Sequence, residues 1–137
     1  MSTIITISAN IHAPVSKVWD YYTHPAHIIH WNFASDDWHC PKAANDLRVG
    51  GKLYSRMEAK DGSFGFDFEA TYTTVEALQA IVYTIPDGRQ VTVHFSGTQD
   101  ITTVTIHFDA EEQNPIDMQR NGWQAILNNF KQYTEAN

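Results

Sequence analysis

The sequence predicts an α+β domain in which a curved antiparallel sheet is covered by one long C-terminal helix. Three observations carry this prediction. Apolar and polar residues alternate at period two from Thr3 to Ile11, and again through most of Leu47 to Asp109. Helical spacing appears briefly after Pro14 and returns at length after Pro115. The strand-like runs follow one another too closely for the crossover helices of a parallel sheet.

Taken in order, Ile5, Ile7, Ala9 and Ile11 form the apolar phase of a first strand that ends at Ala13-Pro14. Val15, Val18, Trp19 and Tyr22 then recur as on a short helix, and Pro25 opens a second one running through Ile28, Ile29 and Trp31. Asn32 to Asp46 shows neither period and reads as a loop of about fifteen residues. Gly50-Gly51 marks a turn, followed by strands over Lys52–Ala59, Phe64–Val75, Leu78–Ile85, Arg89–Ser96 and Ile101–Asp109. Trp123, Ile126, Leu127, Phe130 and Tyr133 give the closing helix one apolar stripe, with Asn114 and Pro115 as its start signal. A sheet of about six or seven strands twists and curves, so the helix meets it closely at one end and leaves space at the other.

Composition narrows the function classes. The chain has 137 residues, 42% of them apolar and 18% charged, which fits a single folded domain and not a disordered segment. Nine Lys and Arg against 16 Asp and Glu give a net charge of −7, which argues against nucleic-acid and membrane-surface partners. The one cysteine, Cys40, allows no internal disulfide. No secretory signal and no bilayer-spanning apolar run is read, so a soluble cytoplasmic protein is expected.

The segments IHAPVSKVWDYYTHPAHIIHW, VGGKLYSRMEAKDGSFGFDFEATY and GWQAILNNFKQY occur in this order across nearly the whole chain. Together they resemble the activator of heat-shock-protein-90 ATPase homologue family, within the START-like (SRPBCC, Bet v-type) superfamily. The resemblance implies a helix-grip fold, in which the curved sheet wraps the long C-terminal helix around an apolar cavity. It also implies a range of activities: binding of lipids and other small apolar molecules, cyclase- or hydratase-like catalysis, or interaction with a chaperone. The co-chaperone arrangement usually has a second, N-terminal domain, whereas this chain reads as one domain over 1–137.

The candidate site follows from strand phase and from the resembled fold. Met57, Phe66, Phe68, Tyr72, Val93, Phe95 and Ile106 share the inward phase, and Trp123 opens the helix stripe. Trp31, Trp38 and His39 sit in the polar-aromatic loop beside the expected mouth. Met118 and Gln119 lie where the helix lacks a continuous apolar stripe, so a pocket of ~300–1,000 Å³ is expected between Pro115–Gln119 and the Trp31–Cys40 loop. Ala70→Phe is the substitution expected to fill it. Tyr72, Trp38, His39, Met118 and Gln119 would supply the polar contacts.

Other clusters invite chemistry but have plainer readings. His39 beside Cys40 suggests a thiolate–imidazole pair, yet sequence neighbours point in different directions. His24, His27 and His30, with His39 and Cys40, lack a standard metal-ligand spacing and read better as solvated, so no metal or cofactor is assigned. Asp67, Glu69 and Glu58 fall on the outer phase with Arg56, as do His94 and His107 on their own strands. No nucleotide-binding glycine motif and no serine-hydrolase elbow occurs. The favoured reading is a binding module for a small hydrophobic ligand, as a monomer or homodimer, with a cyclase- or hydratase-like enzyme using the same pocket, or a chaperone-interacting domain, as the alternatives.

Overall fold

In the computed structural model, which describes residues 3–137, seven strands form one antiparallel sheet in the order β1-β7-β6-β5-β4-β3-β2. The elements run β1 (Ile4–Ile11), α1 (Val15–Thr23), α2 (Pro25–Ile28), β2 (Trp38–Asn45), β3 (Lys52–Ala59), β4 (Gly65–Glu76), β5 (Ala80–Thr84), β6 (Gln90–Gly97), β7 (Thr102–Asp109) and α3 (Ile116–Ala136). This is the α+β helix-grip arrangement, with the curled sheet facing α3.

Cross-strand pairing carries the apolar phase from strand to strand. Ile7 lies opposite Ile106, Ile106 opposite Val93, and Val93 opposite Ile81, and all four are buried. A second row runs from Ile5 through Phe108, Val91 and Tyr83 to Tyr72. Both rows point inward because side chains on a strand alternate faces, so pairing in register puts every apolar phase on one side.

Helix α3 packs mainly on the β1 edge of this sheet. Leu127 and Phe130 enter the core, and the Trp123 ring stacks on Phe108 with centroids 4.0 Å apart. Polar side chains of the helix also bind the strand backbone. Gln124 Nε2 donates to the Ser8 carbonyl at 3.1 Å, Lys131 Nζ to the Asn10 carbonyl at 2.5 Å, and the His12 N–H donates to Glu135 Oε2 at 2.9 Å. An edge strand offers unpaired backbone groups, and here the helix takes up several of them.

The expected loop over Asn32–Asp46 is only partly a loop. Residues 38–45 form β2, the edge strand beyond β3. Its period is hidden by Pro41 and by a register shift between His39 and Lys42. Proline removes a ladder donor and a bulge resets the facing of side chains, and both are tolerated at a sheet edge. The start of α3 also differs from expectation. Asn114 makes no N-cap bond; instead the buried Gln119 side chain folds back on the preceding chain. Its Nε2 donates to the Asn114 carbonyl at 2.7 Å, and its Oε1 accepts from the Glu111 N–H at 2.9 Å.

The Gly50-Gly51 turn fixes one wall of the interior. Gly50 adopts φ +84° and donates its N–H to the Tyr72 carbonyl at 2.8 Å. A Cβ on Gly51 would stand 2.1 Å from the Asp46 carbonyl oxygen, so no larger residue fits there.

Candidate functional site

A cavity of about 230 Å³ lies between the sheet and α3. Its walls are Leu53, Ser55 and Met57 from β3, Phe66, Phe68 and Tyr72 from β4, Ile81 and Tyr83 from β5, and Ile106 from β7. Helix α3 contributes Trp123, Ile126 and Leu127, α1 contributes Tyr22, and α2 with the chain after it contributes Ile28, Trp31 and Asn32. The space exists because α3 sits over the β1 edge, while β3, β4 and β5 curl away from it with their apolar phases still turned inward.

No Asp, Glu, Lys, Arg or His side chain is among the lining residues. Most polar groups in the walls have protein partners. The Trp31 indole N–H donates to the Tyr21 carbonyl at 3.0 Å, and Asn32 Nδ2 donates to Ser55 Oγ at 3.1 Å. The Tyr72 hydroxyl donates to Asn45 Oδ1 at 2.8 Å, and Asn45 in turn donates to the Thr23 carbonyl at 2.7 Å. Burial pushes the Tyr72 phenol up to about 12, against the lowering effect of its bond to Asn45. It also raises Tyr22 and Tyr83 well above the ordinary phenol value, and there neighbouring phenols add to the shift. All three therefore stay protonated at neutral pH.

Several residues expected at the site stand elsewhere. Met118 is 61% exposed on the solvent side of α3, since the cavity meets the helix more than a turn later, at Trp123. Gln119 is buried but spends its amide on the chain before α3 and does not line the cavity. Val93 and Phe95 are buried without lining it either; Phe95 packs edge-on to Trp19 and Tyr22 beneath α1. Trp38 lies outside the walls and contacts Phe64 and Phe66, with centroids 5.9 and 6.1 Å away. Phe66 lines the cavity yet is 43% exposed, which places the mouth beside this aromatic group. His39 is not in the walls, and its Nε2 lies 3.7 Å from Glu58 Oε1. Ala70 is buried without lining the cavity, so it is not the position from which to fill it. Trp31, Met57, Phe66, Phe68, Tyr72, Ile106 and Trp123 are in the walls. The volume lies below the ~300–1,000 Å³ expected of a drug-sized site.

Tyr22, Asn32, Ser55, Ile81 and Tyr83 also stand in the walls, and the sequence reading does not single them out. Two signals point to members of this group. Ser55 is a polar residue on the apolar phase between Leu53 and Met57, and Tyr83 shares the inward phase of Ile81.

A family model for the activator of Hsp90 ATPase homolog 1-like proteins matches residues 12–135. The chain belongs to that family. It thereby falls in the START-like superfamily. Among solved structures, the AHSA1-like protein of Aeromonas hydrophila is 44% identical, with a TM-score of 0.91 over 98% of this chain and 93% of that one. Chr148 of Cytophaga hutchinsonii is 49% identical, with a TM-score of 0.83 over 96% and 92% of the two chains. NE0264 of Nitrosomonas europaea, at 18% identity and TM-score 0.83 over 97% of this chain and 94% of that one, shares the fold. No protein of curated function matches the chain.

In this family member the remaining candidate groups are occupied by structural contacts. Cys40 is 2% exposed, its thiol donates to the Lys42 carbonyl at 3.4 Å, and burial raises its pKa. Its neighbours are Ser55 and Asn32, whereas His39 pairs with Glu58. His27 Nδ1 lies 2.8 Å from the Tyr133 hydroxyl and its ring stacks on Tyr21. His30 stacks on Tyr133, and His24 Nδ1 accepts from the Ala26 N–H. Among the described residues no three His, Cys, Asp or Glu side chains cluster to hold a metal. Asp67 accepts from Tyr54 and Arg56 on the outer face, and these bonds lower its carboxyl pKa.

Proposed function

We propose that this protein is a small-molecule binding module whose occupant, apolar or amphipathic, sits between the sheet and α3. The observation that carries the reading is the apolar cavity of about 230 Å³ with no charged side chain in its walls. An apolar cavity of ~150 Å³ suffices to hold benzene, so this one suits a somewhat larger, bicyclic molecule. Burial of apolar surface drives such binding, and the partnered polar groups of the wall keep the cavity's shape. A free, buried Cys40 suits a reducing compartment, which supports a cytoplasmic location.

Equilibrium dialysis with 2-ethylnaphthalene tests the reading. Wild type should bind with a dissociation constant on the order of tens of micromolar, given ordinary ligand efficiency. Ile81→Trp and Leu53→Trp each place an indole in the cavity and should abolish binding while the chain keeps a cooperative thermal transition. Absence of binding by wild type, or unchanged affinity in both variants, contradicts the reading.

The aromatic group at the mouth favours a second reading, interaction with a chaperone. Phe64 is 61% and Phe66 43% exposed, and with Trp38 they form a surface apolar patch. Large exposed aromatics grouped together mark interaction surfaces more often than isolated ones do. Stimulation of Hsp90 ATPase by wild type, lost in Phe64→Ser, would favour this reading.

A further inference from the structure

Two hydroxyls in the cavity wall have no hydrogen-bond partner among the described residues, those of Tyr22 and Tyr83. Of the other polar groups in the walls, Tyr72 bonds Asn45, Asn32 bonds Ser55 and Trp31 bonds the Tyr21 carbonyl, while the Trp123 indole belongs to a half-buried ring stacked on Phe108. Tyr83 is only 5% exposed. Neither hydroxyl is fully enclosed, since among the described residues the enclosed side-chain polar atom without a partner is that of Thr134, and a pair of accessible, unpartnered donors on a cavity wall is where a ligand's own polar atom belongs.

We propose that Tyr22 and Tyr83 together read a neutral carbonyl oxygen on an otherwise apolar ligand. The inference rests on the binding-module reading above and specifies the ligand's one polar feature. A carbonyl oxygen has two lone pairs and accepts one bond from each hydroxyl. Neutrality follows from the walls, because no Lys, Arg or His lines the cavity and a buried carboxylate would go uncompensated. The phenols themselves stay protonated, since burial and nearby phenols oppose ionisation. Both rings are also held in place. Tyr22 stacks on Trp31 and meets Phe95 and Phe130 edge-on, while Tyr83 meets Phe68 and Tyr72 edge-on. Donors fixed before binding lose little freedom when the ligand arrives.

The test uses 2-acetylnaphthalene and 2-ethylnaphthalene, which match in shape and differ at the carbonyl. Each is titrated by equilibrium dialysis against the full chain and against Tyr22→Phe, Tyr83→Phe and the double variant, with melting temperatures recorded. Comparing each variant with wild type for both ligands cancels their different transfer from water. Each single change should weaken ketone binding several-fold, and the double change about ten-fold, with hydrocarbon affinity essentially unchanged. If the double variant loses its cooperative transition, the single variants decide by the same criterion. Hydrocarbon binding that persists while ketone affinity is indifferent to the tyrosines overturns this inference and leaves the binding module standing. Equal loss of both ligands assigns the hydroxyls a structural role and also overturns it. Failure of wild type to bind either ligand overturns the binding-module reading, and this inference with it.

Discussion

Over β1, β6 and β7 apart from Ile106 the inward side chains meet α3 and α1 directly, whereas over β3, β4 and β5, and at Ile106, the same alternation of apolar residues faces a cavity. In the first region Phe130 and Val93 are fully buried, and Phe130 is met edge-on by both Tyr22 and Trp31. In the second, Phe68 and Leu53 are only partly buried, and their inner surfaces border open space. The two regions do not differ in apolar character. They differ in what the single long helix reaches, because α3 is bound along the β1 edge by Leu127 and Phe130 inside and by Gln124, Lys131 and Glu135 outside. A sheet wider and more curved than one helix can cover keeps its far half for another occupant.

Paired truncations probe this contrast most strongly. Phe130→Ala removes a ring with neighbours on all sides and should cost about 3–5 kcal/mol, whereas Phe68→Ala should cost roughly half as much because its site already has space on one side. Urea denaturation midpoints measure both, and equal losses would erase the distinction between the regions.

That contrast is only partly legible in the sequence. The inward rows can be read because alternation survives in Val91-Val93-Phe95, Val104-Ile106-Phe108 and Phe66-Phe68-Tyr72. The helix stripe from Trp123 to Tyr133 is equally plain, being spaced for one face. Strand β2 is not legible, because Pro41 and the bulge at His39–Lys42 erase its period. Nor is the cavity's place along α3. Met118 and Trp123 both look suited to line it, and which one does depends on how the helix is rotated and seated on β1, a tertiary matter that one-dimensional spacing does not hold. Nothing in the sequence marks the Tyr22 and Tyr83 hydroxyls as unpartnered, since a hydroxyl's lack of a partner emerges only when the neighbours are assembled.

The clasp between α3 and β1 makes a second, smaller test of the contrast. The His12 N–H and Lys131 hold the Glu135 carboxyl down at about 2, well under its ordinary value of 4.5. A carboxylate with a lowered folded-state pKa stabilises the fold above its unfolded pKa, and that contribution is lost as pH falls toward 2. Glu135→Gln should therefore cost ~1 kcal/mol at a pH of about 6, as expected for a partly solvated pair. The difference from wild type should close as the pH approaches 2. A difference independent of pH would show that the clasp is not electrostatic. Ligand affinity should not change, because Glu135 lies on the closed side.

The smallest expected effect is at Thr134, whose hydroxyl is buried on α3 without a partner among the described residues. Thr134→Val keeps the shape and removes the unpaired group, so it should raise stability by up to ~1 kcal/mol. A lower melting temperature would mean that the hydroxyl has a partner in solution.

The most direct test of the two-region account is an amide and methyl NMR titration of the full chain with 2-ethylnaphthalene. Signals of Leu53, Met57, Ile81, Ile106 and Ile126, which line the cavity, should shift in a saturable way, while those of Ile5, Ile11, Val18 and Val104 in the closed half stay in place. Shifts spread evenly over both sets, or none in the first, would contradict the claim that the uncovered half of the sheet is the binding site.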